Sequence, residues 1–231
     1  MPVIYRPAKF LDREKINVFR CMPVVETDTG GTLSGKPIMR HGRDIMVTAR
    51  QNASLLKRAF RDLSLALEKG QQIRMIVPVN SYALASSQSS SLMVAAFKDL
   101  PSEVRQQVII DVFDFPSPLT LDILDDITVL LMPFFHKLMA EPAPDMDSFE
   151  VFANCNYFGV SFDQEARGLK GSEAIDVMTK FWGKAKVRRL KTIIQGVSEA
   201  ELSEKADRYE AFLQDGPYIG QDTEAPSPFT P

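Results

Sequence analysis

Three polar side chains stand in or at the ends of short β-rich runs: Asn80 follows IRMIVPV at 73–79, Asp111 lies in VIIDVF at 108–113, and Asp163 closes YFGVSFD at 157–163. Oxygen donors gathered from several strand ends suit a hard cation or a polar ligand. The same residue types also cap helices and bond loop amides just after a strand, so both readings stand on these residues alone. His41 and His136 are the two histidines, and neither has a histidine or cysteine at metal-ligand spacing. His41 is expected in an exposed, glycine-flanked loop and His136 as a packed or bonded strand residue. Cys21 has no base near it in sequence and reads as a small buried hydrophobe. Lys184, Lys186, Arg188, Arg189 and Lys191 are expected to form a solvated helix end rather than a nucleic-acid site. Phe181 and Trp182 are expected on that helix's apolar face.

These residues need a scaffold that brings strand ends together. Apolar residues recur every three or four positions through Leu55, Leu56, Ala59, Phe60, Leu63, Ala66 and Leu67 until Gly70, predicting a helix that feeds the strand 73–79. The helix-to-strand step then recurs. A helix over 92–100 precedes the strand 108–113, and a helix capped by Thr120, with Ile123, Leu124, Ile127, Leu130 and Leu131, precedes a weaker strand at 135–139. The strand 157–163 leads to a helix opened by Ser172 with Ile175, Met178, Phe181, Trp182 and Ala185 on one face, then to a strand at 190–194. Ser198 and Glu201 have the spacing of a capping box, predicting a helix from Ser198 toward Leu213, and a short last strand is expected at 217–220.

Such alternation calls for parallel strands joined by helical crossovers, and about eight strands predict a TIM-type (β/α)8-like barrel, an α/β fold. The first strand must be antiparallel, because only 11–15 separate the strands 3–10 and 16–25, which requires a hairpin. Segments 26–44 and 85–91 and a proline-rich tail over 222–231 are expected to be loosely structured, leaving one barrel domain over 1–221 and a flexible tail.

With 231 residues, 45% hydrophobic and 25% charged, the chain can bury a core without disulfides, and its two cysteines are too few for a disulfide framework. A formal net charge of -3 gives no global attraction to nucleic acid or an anionic membrane. Neither a secretory signal pattern nor an apolar run long enough to span a bilayer is seen, so a cytoplasmic location is expected.

Tyr5-Arg6-Pro7, Ile193-Ile194-Gln195-Gly196-Val197-Ser198-Glu199 and Asp215-Gly216-Pro217-Tyr218-Ile219-Gly220 resemble, in order and spacing, three segments of the EAL domains. These are the tyrosine-glutamine-proline opening, the alanine-glutamate-glycine-valine-glutamate motif that closes the seventh strand, and the final glutamine-glycine segment. EAL domains are barrels with an antiparallel first strand that hydrolyse cyclic di-GMP with divalent metals. The resemblance runs from Tyr5 to about Gln221.

It implies a depleted site. The family's namesake glutamate falls at Arg20 and its phosphate-holding arginine at or near Val24. Its metal-binding asparagine is kept at Asn80, and a glutamate becomes Asp111. The paired aspartates fall near Ala140 and Glu141, where only Glu141 has a carboxylate. The sixth-strand lysine becomes Ser161 with Asp163 beside it, and the seventh-strand glutamate becomes Gln195. Metal-pair hydrolysis needs carboxylates that hold two cations about 4 Å apart. The resemblance therefore implies no catalytic residues and no cofactor, with Mg or Ca only if a residual site survives. Arg20, Asn80, Asp111, Glu141, Asp163 and Gln195 are the expected residual ligand-binding mouth, with Arg20 paired to Asp111 or Glu141. The implied function is a catalytically inactive signalling module that binds a protein partner or a neighbouring domain. The alternatives are a receptor that binds cyclic di-GMP without hydrolysis and, ranked last, a divergent cyclic di-GMP phosphodiesterase.

Overall fold

The computed structural model describes residues 1–11, 15–40, 44–98, 100–143 and 145–229. Its strands are β1 (Val3–Phe10), β2 (Val18–Glu26), β3 (Thr32–Ser34), β4 (Arg74–Asn80), β5 (Val108–Phe113), β6 (Leu138–Ala140), β7 (Gly159–Asp163), β8 (Lys191–Gln195) and β9 (Leu213–Asp215). The helices are α1 (Ile45–Glu68), α2 (Ser87–Lys98), α3 (Ser102–Gln106), α4 (Leu121–Leu131), α5 (Glu150–Asn154), α6 (Gly171–Val187) and α7 (Ala200–Arg208). Eight strands close in the order β1-β9-β8-β7-β6-β5-β4-β2, and β2 pairs back onto β1. β1 is antiparallel to both neighbours, and the other barrel strands run parallel. β3 adds a short hairpin on β2 outside the barrel. The expected barrel with an antiparallel first strand is what forms, although 12–14 of the first link lie outside the described residues.

Strand parity builds the interior. Ala8, Val18, Ile76, Ile109, Met139, Ile193 and Leu213 form one apolar cluster within the barrel, and residues two positions further along the parallel strands point inward just above it. The larger apolar core lies between the barrel and the helices. α1 ends as expected: Gly70, at φ +75°, accepts a conformation costly for other residues, and its N–H bonds Leu67 O while Gln71 N–H bonds Ala66 O.

Several expectations need correction. The N-cap position of α7 is held by Glu199, without a side-chain cap bond, and not by Ser198, whose hydroxyl instead accepts from Gln164 Nε2. The helix stops at Arg208 because Ala211 N–H turns back to Ala206 O and Glu210 adopts φ +54°. The last strand is therefore 213–215 rather than 217–220, and 217–220 forms a turn in which Tyr218 N–H bonds Val197 O. The serines of 85–91 begin α2, with Ser86 and Ser89 exchanging hydrogen bonds at its start. Segment 26–44 contains β3 and a 3-10 turn at Lys36–Met39. His136 is exposed in the bend before β6, while His41 lies outside the described residues.

The segment after Gln221, expected to be a loose tail, is held against the barrel. Thr223 pairs with Tyr5 and Phe229 with Ile16. Arg6 Nε and Nη2 donate to the two oxygens of Asp222 at 2.8 and 2.9 Å.

Candidate functional site

At the C-terminal ends of the parallel strands, parity aims Arg20, Asp111, Ser161, Asp163, Gln195 and Asp215 into the barrel mouth, and all are buried. Glu141, directly after β6, is buried with them. Lys36 joins from outside the strands: the β2–β3 hairpin folds over the mouth and the following turn drives this side chain inward until only 1% of it is exposed.

Two cations share the centre. Lys36 Nζ lies 2.7 Å from Glu141 Oε2, 2.8 Å from Asp111 Oδ2 and 2.9 Å from Gln195 Oε1. Arg20 Nη1 donates to Asp163 Oδ2 at 2.8 Å and to Gln195 Oε1 at 3.2 Å, and Nη2 donates to Asp215 Oδ1 at 2.8 Å. Asp111 is saturated further by Ser161 Oγ at 2.6 Å and Gln195 Nε2 at 2.9 Å. At the rim, Arg40 and Arg167 each stand 3.6 Å from Glu141 Oε1. Gln195 is thus the joint of the network, accepting from both cations while donating to Asp111.

Burial alone favours the neutral form of each of these groups. For Lys36 that penalty is outweighed by Asp111, Glu141 and Asp163, and its ammonium is pushed up to about 12. Burial would raise Asp163, but attraction to Arg20 and Lys36 prevails and holds it at about 2. Asp215 pairs with the same Arg20 yet is raised, because burial, aided by the nearby Asp163, outweighs the attraction of Arg20 and Arg6. Both lysine and arginine are therefore held charged inside the barrel.

The residues do not fit a divalent metal pair. A metal ligand needs a free oxygen lone pair facing the ion, whereas Asp111, Glu141, Asp163 and Asp215 all face an ammonium or guanidinium at 2.7–2.8 Å. Among the described residues, no group of three or more His, Cys, Asp or Glu side chains is arranged to hold a metal ion.

Five of the six residues singled out in the sequence meet here, and one does not. Asn80 caps a turn and ties loops: its side chain accepts from Tyr82 N–H and donates to Met39 O and to Asp114 Oδ2. Its own N–H donates to Asn52 Oδ1. Arg20 pairs with Asp163 and Asp215 rather than with Asp111 or Glu141, whose partner is Lys36. Lys36 and Asp215 were not singled out beforehand. Asp215 follows Leu213 by two residues, a parity signal hidden when the last strand is read at 217–220 rather than 213–215. Lys36 arrives from an irregular loop, where no periodicity shows which way a side chain points. Two separate cavities remain at this end. One of about 220 Å³ is bounded by Arg40, Phe115, Glu141 and Arg167. The other, of about 200 Å³, is bounded by Arg20, Met22, Lys36 and Asp163.

No protein-family model matches the sequence, and no curated protein matches it. Solved structures do. The PaMucR phosphodiesterase in its cyclic di-GMP complex superposes with a TM-score of 0.76 at 14% identity, over 96% of this chain and 91% of that one. The FimX EAL domain gives 0.74 at 13% identity, over 98% and 92%. The EAL domain of Mycobacterium smegmatis DcpA gives 0.66 at 11% identity, over 96% and 91%. The chain has the fold of the EAL domains along nearly its whole length.

Proposed function

We propose that this chain is a non-catalytic module of cyclic di-GMP signalling that acts by binding a protein partner or a neighbouring domain. The observation that carries this reading is the seating of Lys36 and Arg20 among Asp111, Glu141, Asp163 and Asp215 in an EAL-type barrel. Internal cations there supply the charge balance that divalent ions would otherwise give, but they bind no water to be activated as hydroxide. The reading therefore includes no bound Mg or Ca.

A barrel kept without its chemistry acts through its surface. On the outer side of α4, Leu121, Val129 and Met132 are exposed and lie within one helical face at 100° per residue. No described helix is long and apolar enough to cross a membrane. The two cysteines are unpaired and buried, in keeping with the cytoplasmic location this reading assigns.

A second reading, a receptor that holds cyclic di-GMP without cutting it, draws on the rim arginines Arg40 and Arg167, whose guanidinium groups suit phosphate. The mouth cavities, near 200 Å³ each, fall below the roughly 300–1,000 Å³ of ordinary small-molecule sites, so this reading ranks second. A divergent phosphodiesterase ranks third. Calorimetry with cyclic di-GMP, with and without magnesium or calcium, together with a hydrolysis assay, separates the three. No heat and no turnover is expected; saturable binding without turnover favours the receptor, and turnover ends the leading reading.

A further inference from the structure

A cavity of about 600 Å³ opens at the other end of the barrel, where the parallel strands begin. Arg74 and Lys191 are the first residues of β4 and β8, and Lys137 stands just before β6. All three line this cavity, together with Phe10, Phe158 and Phe212. Phe212 packs edge-on against both other rings, with centroids 5.3 Å from Phe10 and 5.1 Å from Phe158. Arg74 lies 5.9 Å over the Phe10 ring and Lys137 lies 5.8 Å over that of Phe158.

Three cations thus face one concavity. Among the described residues none of them has a carboxylate within 4.0 Å, whereas Arg6 and Arg20 at the opposite end are each paired twice. Glu210 is the one carboxylate among the cavity's lining residues. Burial, and then the nearby Arg74, lower the Lys137 ammonium below its usual range, as expected of a cation facing a cation without an anion between them. A second groove with Trp182, Lys186 and Arg189 shares Lys191 and Glu210 with this cavity and continues the same basic and aromatic character. Like charges that meet no described carboxylate within 4.0 Å and converge on an apolar floor suit an anionic ligand with an apolar body.

We propose that this end of the barrel binds a nucleoside polyphosphate, with its phosphates meeting Arg74, Lys137 and Lys191 and its base lodged among Phe10, Phe158 and Phe212. The volume suits one small molecule, guanidinium and ammonium groups supply charge-assisted bonds to phosphate, and the rings supply an apolar body for a base. This site is independent of the reading given for the opposite mouth.

The test is calorimetry of the full chain, without divalent metal, against ATP, inorganic triphosphate and adenosine. ATP is expected to bind one to one, at least about tenfold more tightly than triphosphate, and adenosine weakly or not at all. Arg74→Gln and Lys137→Gln should each weaken ATP by about tenfold, the loss of one charge-assisted bond. Amide chemical-shift changes in the unmodified chain should centre on residues 74, 137, 158, 191 and 212, which keeps the test independent of how the variants fold. Absence of saturable ATP binding at millimolar concentration overturns the proposal. So does triphosphate binding as tightly as ATP, affinity unchanged in a folded Arg74→Gln/Lys137→Gln variant, or shifts centred on Arg40 and Arg167.

Discussion

Lys36 Nζ stands 2.8 Å from Asp111 Oδ2, a contact between a loop lysine and a mid-strand aspartate in which both side chains are sealed from solvent. Gln195 bridges this pair to the Arg20 group, accepting from both cations. The mouth is therefore one network of two positive and four negative side chains, and the removal of either cation strands carboxylates in the interior.

Lys36→Met should show this directly. Taking one partner from a buried ion pair typically costs about 3–5 kcal/mol, because the remaining charge is left uncompensated. Asp111 and Glu141 would then face each other with nothing between them, which is a divalent-cation site in outline. The melting temperature of the variant should fall, and millimolar magnesium or calcium should raise it by more than it raises that of the unmodified chain. Equal stabilisation of both proteins would mean that Lys36 is not standing in a cation's place.

Acid should act on the network through Asp163. Its folded-state value near 2 lies below the ordinary carboxylate value of about 3.9, so its contribution is fully present above the latter and is lost as pH falls through the former. That contribution is on the order of 2 kcal/mol. Asp215, raised by burial, works in the opposite sense: protonating it relieves the folded state before Asp163 begins to lose its bond. Urea midpoints should accordingly change little until pH 4 and then drop toward pH 2. In Asp163→Asn the drop in this window should shrink; an undiminished drop would assign the acid sensitivity elsewhere.

The barrel was legible from the sequence because period-3.6 and β-rich runs alternate without interruption, and the short link after Phe10 left only a hairpin. The site was legible in proportion to how much of it lies on strands. Asp111 and Asp163 stand in β-rich runs that can be read directly and Arg20, Glu141 and Gln195 follow only from the resemblance to EAL domains, whereas Lys36 follows from the path of a loop that no pattern encodes. The capping box at Ser198 misled for a local reason. The Ser198 hydroxyl is turned toward Gln164 Nε2 rather than toward the first free amides of α7, and the helix starts after Glu199. Ser198→Ala should then cost less than the roughly 1 kcal/mol of a lost cap, since its hydroxyl only accepts from Gln164 at 3.3 Å.

The end of the chain offers a separate test. Arg6 grips Asp222 by two hydrogen bonds and also pairs with Glu165, and beyond Asp222 the backbone is held at Thr223 and Phe229. Asp222→Ala should cost roughly 1.5–3 kcal/mol, the range for hydrogen bonds to a charged group. Amide exchange at Thr223, whose N–H bonds Tyr5 O at 2.9 Å, should quicken while β5 stays protected. Unchanged exchange at Thr223 would show that the strand pairing, not the ion pair, holds this segment.

Placing a carboxylate at position 20 should not confer chemistry. Arg20→Glu places a third acid against Asp163 and Asp215, both of which now bond the guanidinium at 2.8 Å. Like charges about 4 Å apart repel by roughly 4 kcal/mol at the effective dielectric of a protein site, and two such repulsions replace two attractions. Lys36 meanwhile still neutralises Asp111 and Glu141, so a divalent ion entering the mouth would meet an ammonium among its intended ligands. The single variant is expected to be strongly destabilised and to show no turnover of cyclic di-GMP with magnesium or manganese. Removing both cations, as Arg20→Glu/Lys36→Met, should lower stability further without metal and raise the melting temperature steeply with it. Even then Gln195 brings an uncharged oxygen where a carboxylate would add charge, and binding rather than hydrolysis is the expected gain. Metal-dependent hydrolysis by the unmodified chain, abolished in Asp111→Asn, would overturn this expectation together with the non-catalytic function proposed for the barrel.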